Sequence, residues 1–222
     1  MNHQSKLTRR NLTKCLGLAA GSSLVAPALA NSGSKLTPSQ TEGPFYPVNK
    51  QDDLDADLTR ISGVEGHAKG EVILVQGQVL GLNKQPVAGA LVDVWQANHD
   101  GKYIHPNDNS SAPLDPNFQG WAKVETDSTG RYSFKTIRPG AYRISPSADA
   151  GIRCSHIHFK VSQAGFNELT SQMYFAGDPL IKDDIVMADT PEAERERLIA
   201  DAKTDGSNGL PVYSFDIFLN IA

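Results

Sequence analysis

Two histidines one residue apart, His156-Ile157-His158, have the spacing that suits metal chemistry. They stand in an apolar run with strand texture, residues 155–162. In a strand, side chains at i and i+2 share a face about 6.5–7 Å apart along the chain, so both imidazoles can converge on one ion. The usual companions of such a pair are missing. A cupin-like site needs a carboxylate three or four residues later, but Val161 and Ser162 stand there and the first acid is Glu168. No H-E-x-x-H occurs, which excludes the common zinc-protease pattern. Cys154 would share the face of His156, although a lone cysteine is more often buried and inert. Oxygen donors remain: Tyr103, in Asn98-His99-Asp100-Gly101-Lys102-Tyr103, and Tyr142, after Pro139-Gly140-Ala141. Turn-borne tyrosines more often pack at a rim or cap hydrogen bonds, so at this level both readings stand.

These residues need a scaffold, and the texture of the chain is that of short strands. Apolar or alternating runs fall at residues 72–80, 87–97, 121–126, 131–136, 142–144, 155–162, 172–175 and 212–220. In the last, Tyr213, Phe215, Ile217 and Leu219 alternate with polar Ser214 and Asp216, the period of a half-buried strand. Asp127-Ser128-Thr129-Gly130 and Pro139-Gly140 are turn signals. Seven or eight strands so punctuated predict a β-sandwich. Tyr132, Trp95 and Trp121 are expected in its core. One helix is expected near the C-terminus, with Thr190 as cap, Pro191 in the first position and residues 192–203 following. Residues 31–70, with Pro38, Pro44, Pro47 and four aspartates at 52, 53, 55 and 57, read as an arm lying over the core.

The chain has 222 residues, 39% hydrophobic and 21% charged, with a net charge of −4. Four of the 21 basic residues (Lys6, Arg9, Arg10, Lys14) fall in residues 1–30, which hold no acid, so the remainder is more acidic than the total implies. Such a body repels nucleic acid and anionic membrane, and neither is expected as a partner. Two cysteines exclude a disulfide framework and a thiolate zinc site. Thr8-Arg9-Arg10-Asn11-Leu12-Thr13-Lys14, an apolar stretch at 15–25 and Ala28-Leu29-Ala30 resemble a twin-arginine export signal cleaved after Ala30. The apolar stretch falls short of the roughly 20 residues of a membrane span. The expected organisation is a signal peptide at 1–30, an arm at 31–70 and a β-sandwich domain at 71–222, exported to the periplasm or beyond.

Read together, several stretches resemble the intradiol ring-cleavage dioxygenase family, and its protocatechuate 3,4-dioxygenase branch more than its catechol branch. They are Thr41-Glu42-Gly43-Pro44-Phe45-Tyr46, Pro86-Val87-Ala88-Gly89-Ala90, Val94-Trp95-Gln96-Ala97-Asn98 and Gly101-Lys102-Tyr103. Asp115-Pro116-Asn117-Phe118, Thr136-Ile137-Arg138-Pro139-Gly140-Ala141-Tyr142 and Arg153-Cys154-Ser155-His156-Ile157-His158-Phe159 complete the series in family order. The resemblance implies one Fe(III) per chain held by Tyr103, Tyr142, His156 and His158. It implies a small aromatic diol and O2 as reactants and a muconate-type dicarboxylic acid as product. Tyr142 takes the role of the tyrosinate that leaves the metal and accepts a catechol proton. Arg153 matches the arginine that stabilises negative charge on the substrate. Gln172, Tyr46 and Ile144 fall at pocket positions, Ile144 where protocatechuate enzymes often carry an aromatic residue. A homo-oligomer or a related second subunit is also implied.

The fold expected is all-β, a prealbumin-like β-sandwich with long loops and one short helix near the C-terminus, its 71–222 domain catalytic. The Pro-Val-x-Gly-Ala and Thr-Asp-x-x-Gly-x-Tyr-x-Phe turns also occur in non-enzymatic, prealbumin-like binding modules, and fold alone does not assign function. A binding module, however, has no use for Tyr103, Tyr142, Arg153, His156 and His158 together.

Overall fold

The computed structural model describes residues 36–222 except 50, 52, 146, 148, 149 and 205–208. The signal expected in residues 1–30 lies outside these. Among the described residues no helix is long and apolar enough to cross a membrane.

The long run after residue 71 becomes β1 (Val72–Gly81), whose inward Ile73, Val75 and Val79 are fully buried. Strands β2 (Leu91–Trp95), β3 (Trp121–Glu125) and β4 (Arg131–Ile137) follow. A short antiparallel pair, β5 (Tyr142–Arg143) and β6 (Ile152–Arg153), precedes β7 (His156–Ser162) and β8 (Leu169–Phe175). Two helical turns, α1 (Ile185–Asp189) and α2 (Glu192–Arg195), lead into β9 (Ile199–Ala200), β10 (Ala202–Thr204), β11 (Pro211–Ser214) and β12 (Ile217–Leu219). One sheet runs β10-β11-β1-β12, with β4 antiparallel along β1; the other runs β3-β2-β7-β8-β9. The molecule is all-β. The two sheets share one apolar core, in which the Phe159 ring of β7 meets Phe134 at 6.0 Å and Phe215 at 5.1 Å.

Several expectations are corrected. The helix expected at 192–203 is only four residues long. Pro191 rather than Thr190 precedes it, and Thr190 instead ends α1, its hydroxyl donating to the Val186 carbonyl. The chain tightens into a 3-10 turn at Glu196–Leu198, and Ile199 then pairs beside Tyr174. Burial of Leu198 and Ala200 and the sheet hydrogen bonds of Ile199 and Ala200 outweigh the helix propensity of Glu196-Arg197-Leu198, so the helix begun at Glu192 stops at Arg195. The run at 212–220 breaks into β11 and β12 without losing register on β1. At the break the Phe215 carbonyl packs against Gly77, where a Cβ would lie 2.0 Å from it, and the Asp216 carboxylate accepts from Gln78 N–H. Trp95 and Trp121 are buried, but in a separate cluster with Tyr103 on the outer face of the second sheet, whereas Tyr132 does join the main core.

β7 is covered on both sides. Ile157, Phe159 and Val161 enter the core, while His156 and His158 point the other way. Cross-strand partners on that outer face are Gln172 and Tyr174 of β8 and Trp95 of β2. Residues 36–41 are strapped along the sheet edge, with Thr37 N–H on Phe218, Gln40 N–H on the Thr170 carbonyl and Ser171 Oγ donating to Pro38. The chain just beyond it carries Phe45 and Tyr46 over the outer face.

Candidate metal centre

Four side chains meet on this face. Asn98, three residues beyond β2, folds the following loop, its Oδ1 accepting from the N–H groups of Asp100 and Lys102 at 2.9 Å each. Asp108 then accepts from Tyr103 N–H at 2.8 Å and from the Lys102 ammonium, which fixes Tyr103 with its ring buried. The second loop lies directly against the first. A Cβ on Gly140 would meet the His99 carbonyl at 2.2 Å, and one on Gly101, at φ +79°, would meet the Ala141 carbonyl at 2.6 Å. Only two glycines let the loops approach this closely, and the approach brings the Tyr103 and Tyr142 rings to 5.6 Å, edge to face. Phe45 stacks on Tyr103 at 4.7 Å and closes one side.

The histidines complete the group. His156 Nδ1 lies 2.6 Å from the Cys154 carbonyl, so that nitrogen carries the ring proton and Nε2 keeps its lone pair. Nε2 of His156 is 3.3 Å from the Tyr103 hydroxyl and 3.2 Å from Nε2 of His158. His158 is stacked on Trp95, centroids 4.7 Å apart and planes 11° from parallel. Its Nδ1 is buried without a hydrogen-bond partner. Burial, reinforced by the Arg153 charge, holds both imidazoles well below the usual histidine range, so both are neutral. Burial and the neighbouring Tyr142 push the Tyr103 phenol well above its ordinary value. Burial also raises Tyr142, while Arg153 pulls it back down.

A cation fits this donor set. Two imidazole nitrogens about 2.1 Å from one transition metal, at right angles, stand about 3 Å apart, close to the 3.2 Å between the two Nε2 atoms. A cation between the two Nε2 atoms would take a lone pair from each neutral ring. Phenols whose ionisation is opposed by burial become phenolates only where positive charge stands beside them. Among the described residues no three His, Cys, Asp or Glu side chains converge. The histidines' company is therefore the two tyrosines, hard oxygen donors that suit a ferric ion.

Arg153 stands next to this set, 4% exposed and opposite Tyr142 in the β5–β6 register. Its Nε donates to Asp184 Oδ2 at 3.1 Å, and its Nη2 donates to Gln172 Oε1 and to the Tyr174 hydroxyl. Gln172 is fixed in turn by donating to the Thr41 carbonyl at 2.9 Å. Tyr142, Phe45 and the exposed Ile144 line an open cleft of about 440 Å³ beside the donors. Tyr46 does not line it. Its hydroxyl donates to Asp93 at 2.8 Å and its ring packs edge-on against Trp95, behind His158. His105 packs beside Phe45 at 5.8 Å. Cys154 is buried against Tyr174 and Met187 with a free thiol that burial pushes up, which leaves it inert. Tyr174, Asp184 and Phe45 were not singled out in the sequence. Tyr174 carried one signal, since it lies two residues from Gln172 and so on its face of a strand.

A family model described as dioxygenase matches residues 41–221. The chain belongs to the intradiol ring-cleavage dioxygenase family. It is 45% identical over 179 residues to the protocatechuate 3,4-dioxygenase beta chain of Burkholderia cepacia, a match covering 79% of this chain and 76% of that one. To catechol 1,2-dioxygenase 2 of Acinetobacter lwoffii it is 34% identical over 162 residues, 68% of this chain but only 56% of the relative. Among solved structures, the dioxygenase domain of a carbohydrate-binding fusion from Streptomyces sp. SirexAA-E superposes with a TM-score of 0.62 at 28% identity. That match covers 85% of this chain and all of that domain.

Proposed function

We propose that this chain uses Fe(III) and O2 to cleave a catechol-type ring between its two hydroxyl-bearing carbons, releasing a muconate-type dicarboxylic acid. The observation that carries the reading is the convergence of Tyr103, Tyr142, His156 and His158, with Tyr142 on the wall of an open cleft and with neutral imidazoles and an arginine alongside. The relatives named for protocatechuate and catechol support the substrate class. Tyr103, Tyr142, His156 and His158 would hold the ferric ion, which when bound would supply the Lewis acidity that a chelating catechol needs to become reactive toward O2.

The chain's own residues do the rest. His156, His158 and Tyr103 are buried and held by Cys154, Trp95 and Asp108, so they form the fixed part of the donor set. Tyr142 borders the cleft and is less buried, and its phenolic oxygen is the group placed to accept a catechol proton. Arg153, kept protonated by Tyr142 and Asp184 in spite of its burial, supplies a fixed positive charge where the substrate becomes an anion. Phe45 covers Tyr103 and limits water at that side, and Ile144 offers an apolar rim for the substrate ring.

The reading extends to location. Residues 1–30 would direct the chain through the twin-arginine route, which carries folded proteins, so the metal is loaded before export. Because the relative from Burkholderia is named as one chain of its enzyme, a homo-oligomer or a second related subunit belongs to the proposal. The experiment is O2 uptake by the isolated protein against catechol, protocatechuate and hydroxyquinol. One O2 consumed per ring opened, with two new carboxyl groups in the product, is expected for at least one of them. No uptake with any of the three contradicts the reading.

A further inference from the structure

Asp184 is the most completely buried acid near the centre, and neither the donor set nor the proton path uses it. It is 0% exposed and comes from the N-terminus of α1, 31 residues along the chain from Arg153. Its two oxygens accept four hydrogen bonds. Oδ1 takes the N–H groups of Val186 and Met187 at 3.0 and 2.9 Å and so caps α1. Oδ2 takes Arg153 Nε at 3.1 Å and Cys154 N–H at 2.8 Å. A backbone bridge between Ile152 and Asp184 ties the same two segments together. A five-residue helix needs a cap, but an uncharged one would serve. Burying a carboxylate is unfavourable unless a cation answers it, and the cation that answers here is Arg153.

We propose that Asp184 is a positioning residue: by holding Nε of Arg153 while Gln172 and Tyr174 hold Nη2, it fixes the plane of the guanidinium toward Tyr142 and the bound substrate. Two nitrogens of a planar group pinned from different elements, β8 and the α1 cap, leave no rotation about the Cδ–Nε axis. With Asp184 replaced by an uncharged side chain, Arg153 keeps its charge but loses its aim. This inference rests on the catechol-cleavage reading given above.

The test is Asp184→Asn, which keeps one oxygen for capping α1 and removes the charge facing Arg153. Turnover per bound iron is expected to fall about 10- to 100-fold while KM for the catechol moves less than about threefold, as for a misaimed rather than absent group. Ala188→Gly, on an exposed position of the same helix, weakens α1 without touching Arg153 and should leave kcat within about twofold. In an Arg153→Lys background, Asp184→Asn should cost less than about a further twofold, because its effect passes through the guanidinium. Equal losses in both backgrounds, or a matching loss in Ala188→Gly, overturn the inference and leave the catechol reading standing. If Asp184→Asn does not fold, Asp184→Glu gives the same comparison: a folded protein with lowered kcat supports the role, and unchanged kcat overturns it. A wild-type chain that turns over no catechol removes the functional reading and this inference with it.

Discussion

Tyr103 and Tyr142 bring the same phenolic oxygen to the centre from different surroundings. Tyr103 is 3% exposed, held at its N–H by Asp108 and covered by Phe45, whereas Tyr142 faces the cleft and the Arg153 guanidinium. The difference predicts different variants. Tyr142→Phe should keep much of its iron through Tyr103, His156 and His158, yet bind a catechol slowly and lose about 10²- to 10⁴-fold in turnover, the range for removing a general base. Tyr103→Phe should alter the resting colour, and the change should persist when substrate binds. Visible spectra of both variants, before and after anaerobic addition of a catechol, make the comparison. Wild-type binding kinetics in Tyr142→Phe, or identical behaviour of the two variants, would contradict the division of roles. At this scale the sequence carried a good deal. His156-Ile157-His158 is readable because strand period places both rings on one face, and the flanking Arg153 came with the family likeness. Asp184 and Tyr46 were not readable. The first acts across 31 residues, and the second is turned toward Asp93 by a hydrogen bond that only the folded sheet creates.

Among the elements, the contact between the two tyrosine loops matters most. Gly140 N–H donates to the Asn98 carbonyl at 2.9 Å, and no side chain fits between Gly140 and His99. Gly140→Ala should therefore push the loop carrying Tyr142 off the loop carrying Tyr103. An overpacked contact of this kind costs about 1–3 kcal/mol, which in a domain of this size lowers Tm by roughly 2–10 °C. Iron content should fall with it, because the two phenols no longer meet. Calorimetry with elemental analysis checks both, and an unchanged Tm with full iron would show that the loops need not touch. The strands themselves were legible from alternation and turn residues, and most boundaries fall within a few residues of expectation. The C-terminal helix was not. Thr190-Pro191 is a sound local start signal, but Ile199 and Ala200 gain more by extending the sheet beside Tyr174 and Phe175 than by continuing a helix. Residues 87–90 were read as strand and instead form a turn, with Gly89 at φ +68° and Ala90 N–H held by Thr126 Oγ1.

For the whole molecule, the two sheets give a platform whose inner face is core and whose outer face, through β7 and its neighbours β2 and β8, carries the candidate metal centre. The strap at residues 36–46 belongs to that outer face, since Thr41 holds Gln172 and Phe45 covers Tyr103. The export signal proposed for residues 1–30 precedes the strap in the sequence. Arg9→Lys combined with Arg10→Lys should leave the protein in the cytoplasm with unchanged iron and turnover, checked by cell fractionation. Normal export of that variant would remove the twin-arginine assignment. The central claim is a ferric centre built from two tyrosines and two histidines, and the most direct measurement is metal analysis of the freshly isolated, unchelated protein together with its visible spectrum. One iron per chain and a red-brown tyrosinate-to-iron absorption before any substrate is added is the result predicted. Zinc, or no metal and no colour, would contradict it.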